Sequence, residues 1–199
     1  MPEGTEQRRS YRKGIERRQQ ILDHAIELFA SRGVDGASLR SVGDAIGVSH
    51  AALRHYFPSR DELLVEAYRE HERRLPPDPD AEHGAVEGIA RSVDRNRVVP
   101  GLVQLYSTLM ADALQEQHPL TRRFIRERFA RVRAELAERI AAGQREGRIA
   151  ADVDPVDAAA LVVAASDGLQ VQWLLDPQDV DVRRSLELLE RLLPGPSGT

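Results

Sequence analysis

The sequence contains no cysteine, which excludes disulfides, thiolate metal ligands and cysteine nucleophiles. Residues 1–14 are polar and basic and lack the apolar segment of a signal peptide. No apolar run approaches the about 18 residues that a membrane span needs. Alternation of polar and apolar residues, which would indicate strands, is also missing. These absences predict an all-α, cytoplasmic protein.

Recognisable catalytic and metal-binding motifs are absent as well. The chain has no Gly-rich phosphate loop, no nucleophile elbow and no HExxH. None of the six histidines forms an i,i+4 pair on a face shared with a carboxylate ligand set. His50 and His55 would point about 140° apart on a helix. We therefore expect no enzyme activity, no metal and no cofactor.

Charge is distributed unevenly along the 199 residues, which have a net charge of −4 and an apolar content of 41%. Such a chain suits one globular domain or two small helical ones. Residues 1–60 contain 10 Arg or Lys and 7 Asp or Glu, whereas residues 61–199 contain 18 and 25. A basic end joined to an acidic body is typical of a modular binder whose phosphate contacts lie at one end.

The most informative stretch is residues 38–64, SLRSVGDAIGVSHAALRHYFPSRDELL. Ser38 is suited to cap a first short helix, and Gly47 can adopt the positive φ that a sharp turn needs. Ser49 then caps a second helix, His50 to Phe57. This order predicts a helix–turn–helix, which places its second helix in the DNA major groove. Spacing alone leaves another interpretation open, because short helices joined by Gly turns also occur in all-α proteins that bind no DNA.

Several features of this region are more specific than its spacing. They are Leu28-Phe29 followed by Gly33, Ser38-Leu39-Arg40, Gly47-Val48-Ser49 and above all the run HYFPSRDELL from His55 to Leu64. Over residues 15 to about 70, this pattern resembles the DNA-binding domain of TetR-type (tetracycline-repressor-like) bacterial regulators. Departures from the usual family pattern occur at Gly43, Ala51-Ala52, Arg54 and Arg60.

The resemblance implies how the motif would meet DNA. His50, Ala51 and Arg54 would face base edges in the major groove. Arg54 is the residue expected to read guanine, because its fork matches the O6 and N7 acceptors. Phosphate contacts are expected from Ser49, His55, Tyr56 and Arg60, and the predicted DNA-binding set also includes Ser38 and Arg40.

The predicted domain organisation has four parts. Residues 1–14 are expected to be a disordered basic arm, either lying along DNA or free in solvent. Residues 15–75 form the helix–turn–helix domain with a connecting fourth helix, which begins at an S-x-x-E capping box. The Pro-rich residues 76–84 form a linker, and residues 85–199 form a ligand-binding and dimerisation domain, giving about nine helices in all.

Two C-terminal helices predict a homodimer. The helix Pro155 to Leu175 is apolar nearly all round, and the next helix carries a leucine seam, so one small domain cannot bury both. In the resembling family the last two helices, here about residues 155–193, form a four-helix bundle across a two-fold axis. The resemblance implies a dimeric repressor that leaves a palindromic operator when a small molecule binds. A same-fold activator, a protein-responsive regulator, and a helical enzyme or interaction module are the alternatives.

In that family the helical body encloses a small-molecule pocket. The candidate ligand-binding residues, each also suited to an ordinary core position, are Tyr106, Met110, Phe129, Gln170 and Trp173. Asp167 lies within the apolar run AASDGLQ, where an unpaired charge would cost several kcal/mol. It would bind a cationic or hydrogen-bond-donating ligand, or pair with an arginine across the core or the dimer interface. The ion pair is the favoured interpretation.

Overall fold

The structure, a computed structural model, describes residues 3–32, 38–75 and 84–192. Over these residues it contains no strand and nine helices: α1 (Glu3–Arg32), α2 (Leu39–Ile46), α3 (His50–Tyr56), α4 (Arg60–Arg74), α5 (Ala85–Arg97), α6 (Leu102–Ala113), α7 (Pro119–Arg145), α8 (Pro155–Leu175) and α9 (Val182–Leu192). The all-α prediction is confirmed. The chain forms two compact units, one of Met1–Leu75 with Pro100–Thr121 and one of Pro76–Val99 with Arg122–Thr199.

The first unit is built on α1, which packs against α2, α4 and α6. One apolar face of α1 is buried, with Ile21, Leu22, Ala25, Leu28 and Phe29 all less than 9% exposed. Tyr68 of α4 stacks on Tyr106 of α6, with ring centroids 5.2 Å apart and planes 24° from parallel. Because α6 covers α1 and α4, the predicted domain boundary at residue 85 does not coincide with the boundary between the compact units.

The second unit has its own core, formed by α5, α8 and α9 with side chains from α7. α5 packs against both α8 and α9, and α8 packs against α9. The fully buried side chains at its centre are Ile140, Ala159, Val162, Val182 and Leu186. Arg183 of α9 binds Asp94 and Glu87 of α5 at 2.6 and 3.0 Å, which adds an ion-pair network to this packing.

The N-terminal arm differs from its prediction. α1 begins at Glu3, so the structure describes residues 3–14 as helical, where the sequence predicted a disordered arm over residues 1–14. The predicted linker, residues 76–84, lies outside the described residues except for Gly84.

The expectation that no segment has the length and apolar content of a membrane span is wrong for α8. In the described part of the chain α8 is the one helix long and apolar enough, by length and composition, to cross a membrane. No long uninterrupted apolar run marks α8 in the sequence. Single polar residues such as Asp167 interrupt the run without lowering the mean hydropathy of the helix much. Packing against α5 and α9 accounts for one side of this helix, but only 33% of its most apolar window is buried.

Candidate DNA-binding site

The helix–turn–helix contains two capping hydrogen bonds and one turn glycine that the sequence predicted. The Ser38 hydroxyl accepts from the Ser41 amide at 3.1 Å and caps α2. Gly47 ends α2 with φ +65° in the left-handed region, which glycine adopts at the lowest cost. The Ser49 hydroxyl accepts from the Ala52 amide at 3.2 Å and caps α3. The predictions of both caps and of the turn glycine are confirmed.

The turn passes very close to α2 at Gly43. A Cβ atom on Gly43 would lie 2.6 Å from the Val48 carbonyl oxygen, and the Val48 amide donates to the Gly43 carbonyl at 2.8 Å. Behind the turn, Leu53 and Phe57 are fully buried. These contacts orient α3 so that its inner face is anchored and its opposite face is left to solvent.

The solvent face of α3 carries the residues predicted to meet DNA bases. His50, Ala51 and Arg54 are all exposed. His55 is exposed and Tyr56 half-buried, with their rings edge to face at a centroid distance of 5.5 Å. The predicted contacts that flank the motif, Ser38, Arg40 and Ser49, are exposed as well. All nine predicted residues in the first unit therefore have side chains that are wholly or partly accessible.

Arg60, the ninth predicted residue, already has a partner within the first unit. Its Nη1 lies 3.2 Å from Asp112 Oδ2, and its side chain is half-buried. An arginine engaged by a carboxylate has fewer donors left for a phosphate. Arg60 at the start of α4 is consequently less available to DNA than Arg54.

Arg18 is a residue whose importance the spacing of apolar positions did not indicate. From α1, its Nη2 donates to Glu66 Oε2 of α4 at 2.7 Å, and its Cζ lies 4.9 Å above the Phe57 ring that follows α3. Burial alone would raise the pKa of Glu66, but hydrogen bonds and charge from Arg18 and Arg69 outweigh it and lower that pKa. Arg18 of α1 thus contacts both α4 and the residue that follows α3.

Comparison with known proteins assigns both parts of the chain. Residues 21–67 match the family described as bacterial regulatory proteins, tetR family. Residues 87–195 match the family described as BetI-type transcriptional repressor, C-terminal. The chain belongs to the TetR family.

Relatives within the TetR family are transcriptional regulators. The regulator BetI of Brucella anthropi is 25% identical over 185 residues, covering 87% of this chain and 90% of BetI. Five other curated bacterial regulators are 33–43% identical, but over only 53–78 residues, so the chain spans 26–39% of their length.

Solved TetR-family structures share the fold. A regulator from Rhodococcus sp. has a TM-score of 0.70 at 25% identity and covers 89% of this chain and 98% of its own. The multidrug binding protein EbrR, solved with imidazole, has a TM-score of 0.61 at 27% identity and covers 92% and 93%. EbrR has also been solved with malachite green.

The six candidate ligand residues divide between the two units. Tyr106, buried against Tyr68, and the half-buried Met110 belong to the first unit. In the second unit, Phe129 and Trp173 pack against the apolar core, and Arg97 Cζ lies 4.7 Å above the Trp173 ring.

The two polar candidates on α8 are both engaged. Gln170 is buried and its Nε2 donates to the Ser166 carbonyl at 3.2 Å. Asp167 is half-buried and takes part in a polar or electrostatic interaction. An open polar cavity of about 580 Å³ lies in the second unit beside Gln172 and Arg184, and none of the six candidates lines it. The ligand site of this TetR-family chain stays a prediction.

Proposed function

We propose that this chain is a homodimeric transcriptional repressor of the cytoplasm that binds a palindromic operator through α3 and leaves it when a small molecule binds. The observation that carries the proposal is the exposed polar face of α3, with His50 and Arg54 side by side on a helix whose other face is anchored. A helix presented in this way enters the major groove in other helix–turn–helix proteins.

Charge supports the same orientation toward DNA. The N-terminal 60 residues carry the chain's excess of arginine over acidic residues, which provides the nonspecific attraction to phosphate. Ser38 and Ser49 lie at the amino ends of α2 and α3, where helix dipoles favour anions. Arg54 then supplies base recognition, because a guanidinium donates two parallel hydrogen bonds to guanine.

The outer face of α8 supports the dimer. Its exposed residues recur at alternating spacings of three and four, the pattern of a helix-packing seam: Leu161, Ala164, Gly168, Val171 and Leu175. Leu161 is 56% and Leu175 82% exposed, and Leu188 of α9 is 48% exposed. A second copy presenting the same two helices would cover this surface in a self-complementary way.

Ligand release is supported by the relatives. EbrR, whose structures contain imidazole or malachite green, resembles this chain over nearly its whole length. We propose an organic effector for this chain too, with Tyr106, Met110, Phe129, Asp167, Gln170 and Trp173 as the residues to test. Release requires two arrangements of the helix–turn–helix motifs in the dimer, one of which binds the effector more tightly. The coupling free energy between effector and DNA binding is typically ~1–3 kcal/mol.

The test is selection of DNA from a random-sequence duplex library by the purified protein at ~150 mM salt, where nonspecific binding is weak. We expect enrichment of a palindrome that the protein shifts in a gel even against excess nonspecific DNA. Arg54→Ala should lose the preference for guanine at one position of each half-site, whereas Arg184→Ala, at an exposed position in the second unit, should retain it. Recovery of unrelated sequences with no shared motif would refute the proposal.

A further inference from the structure

We propose that the first unit contains a site for a divalent transition-metal ion such as Zn²⁺, formed by Asp61, Asp112 and His118. One ligand atom from each of these side chains lies within 4.8 Å of the other two. They come from the first turn of α4, the last turn of α6 and the residue before α7. No sequence motif indicates this set, because Asp112 lies 51 positions after Asp61 in the chain.

The donor set suits a first-row transition metal. One imidazole nitrogen and two carboxylate oxygens are ligands that Zn²⁺, Co²⁺ and Ni²⁺ accept, and three protein ligands leave a position for water. Metal–ligand bonds of about 2.0–2.2 Å place tetrahedral ligand atoms roughly 3.4 Å apart. His118 Nδ1 and Asp61 Oδ2 are already 2.7 Å apart, so binding would separate this pair slightly and draw Asp112 inward.

The three side chains are partly enclosed, and Arg60 neutralises one of their two carboxylates. The side chains of Asp61, Asp112 and His118 are only 15%, 14% and 21% exposed, unlike acidic clusters on an open surface. Arg60 binds Asp112 through Oδ2, which leaves the other oxygen of that carboxylate for a metal. Coordination through His118 Nδ1 needs that nitrogen unprotonated, so the imidazole would bind as its Nε2–H tautomer and lose its contact with Asp61 Oδ2.

A metal in this position would link the amino end of α4 to the corner between α6 and α7. All three attachment points belong to the first unit. The ion would replace the His118–Asp61 hydrogen bond by two stronger bonds and would stabilise the folded unit by mass action. This function is independent of DNA binding, and each can fail without the other.

The first test titrates the chelator-treated full-length protein with ZnCl₂, following heat by calorimetry and the thermal midpoint. We expect one Zn²⁺ per chain and a raised midpoint. His118→Gln and Asp112→Asn should each weaken binding by 10–100-fold or more. His24→Gln is the matched control, because His24 is exposed and contacts the Gln20 carbonyl of its own helix. Zn²⁺ binding that is equally tight in His118→Gln, or no stoichiometric binding, would overturn the proposal.

A second test needs no variant. Co²⁺ added to the unmodified protein should develop the intense visible absorption of a four- or five-coordinate ion, and Zn²⁺ should remove it. A spectrum identical to that of aqueous Co²⁺ would mean that no such site forms. If either substitution prevents folding, this measurement still decides the matter.

Discussion

The guanidinium of Arg18 and the carboxylate of Glu66 form an ion pair of 2.7 Å that joins α1 to α4. The same guanidinium lies above the ring of Phe57, which follows α3. One α1 side chain therefore helps to position α3.

Replacing this arginine should cost stability. Arg18→Met keeps an apolar stem but removes the charge, and we expect a loss of about 1 kcal/mol in the free energy of unfolding, measured by urea denaturation. Arg17→Met is the control, since Arg17 donates to Gln20 on its own helix. The loss should shrink in acid. The lowered pKa of Glu66 makes its stabilisation present above the usual carboxyl pKa, and that stabilisation is lost as the pH falls through the folded value. A pH-independent difference would contradict the ion-pair explanation.

Glu190 should have the opposite pH dependence. Burial raises the pKa of Glu190, and repulsion by Glu87 and Glu187 adds to it while Arg148 opposes it. The folded protein therefore favours the protonated form of Glu190. Its contribution to the free energy of unfolding is complete below the unfolded pKa of about 4.3 and is lost as the pH rises through the higher folded pKa. Glu190→Gln should stabilise the protein by about 0.5 kcal/mol at pH 7 and have little effect at pH 3.5.

The comparison for that variant is Glu187→Gln. Glu187 accepts a hydrogen bond from Arg183 at 2.9 Å, so removing its charge should not stabilise the protein at pH 7. Thermal unfolding of both variants at several pH values measures the difference. If Glu190→Gln lowered the midpoint at neutral pH, Glu190 would have a favourable ion pair instead.

Two glycines should respond to alanine with opposite signs. Gly47 has φ +65°, so Gly47→Ala should destabilise the protein by ~1–2 kcal/mol. Gly14 lies within α1 with no atom within 4 Å of an added Cβ, and Gly14→Ala should stabilise it by up to ~1 kcal/mol. Denaturant midpoints are sufficient to test both, and equal effects at the two positions would show that the turn is not strained by a side chain.

Local features of the chain were readable from sequence, and tertiary ones were not. Ser38, Ser49 and Gly47 act on the backbone within three residues, so their chemistry fixes their position in the motif. The assignment of α6 to the first unit depends instead on which apolar surface Tyr106 covers. Helical periodicity shows that α6 has an apolar face but not which helix packs against it. The Arg18–Glu66 pair and the Asp61–Asp112–His118 set also bring distant residues together, which only the packing of helices determines.

The outer face of α8 gives a prediction about assembly. Leu161→Glu and Val171→Glu each place a charge in the exposed apolar seam, and we expect them to convert dimers into monomers in sedimentation analysis. Val98→Glu is the control, because Val98 is 79% exposed but follows α5. A wild-type protein that sediments as a monomer at micromolar concentration would exclude the proposed interface.

Arg54 should determine sequence preference, whereas Arg40 should determine general affinity. Arg54→Ala should weaken binding to the selected palindrome by ~1–3 kcal/mol and relax the preference for guanine at one position per half-site. Arg40→Ala should weaken all sequences alike and reduce the salt dependence. Gel shifts with single-base operator variants distinguish the two, and a uniform loss in Arg54→Ala would make Arg54 a phosphate contact.

The first unit consists of two separate stretches of chain, Met1–Leu75 and Pro100–Thr121. On the ribosome, Tyr68 is made well before Tyr106, its stacking partner on α6. Elongation from residue 75 to residue 121 takes about 2–9 s at ~5–20 residues per second, far longer than a helix needs to form. The helix–turn–helix is therefore synthesised before α6, the last helix of its unit. Until α6 packs, the apolar surface that α6 covers is accessible to chaperones.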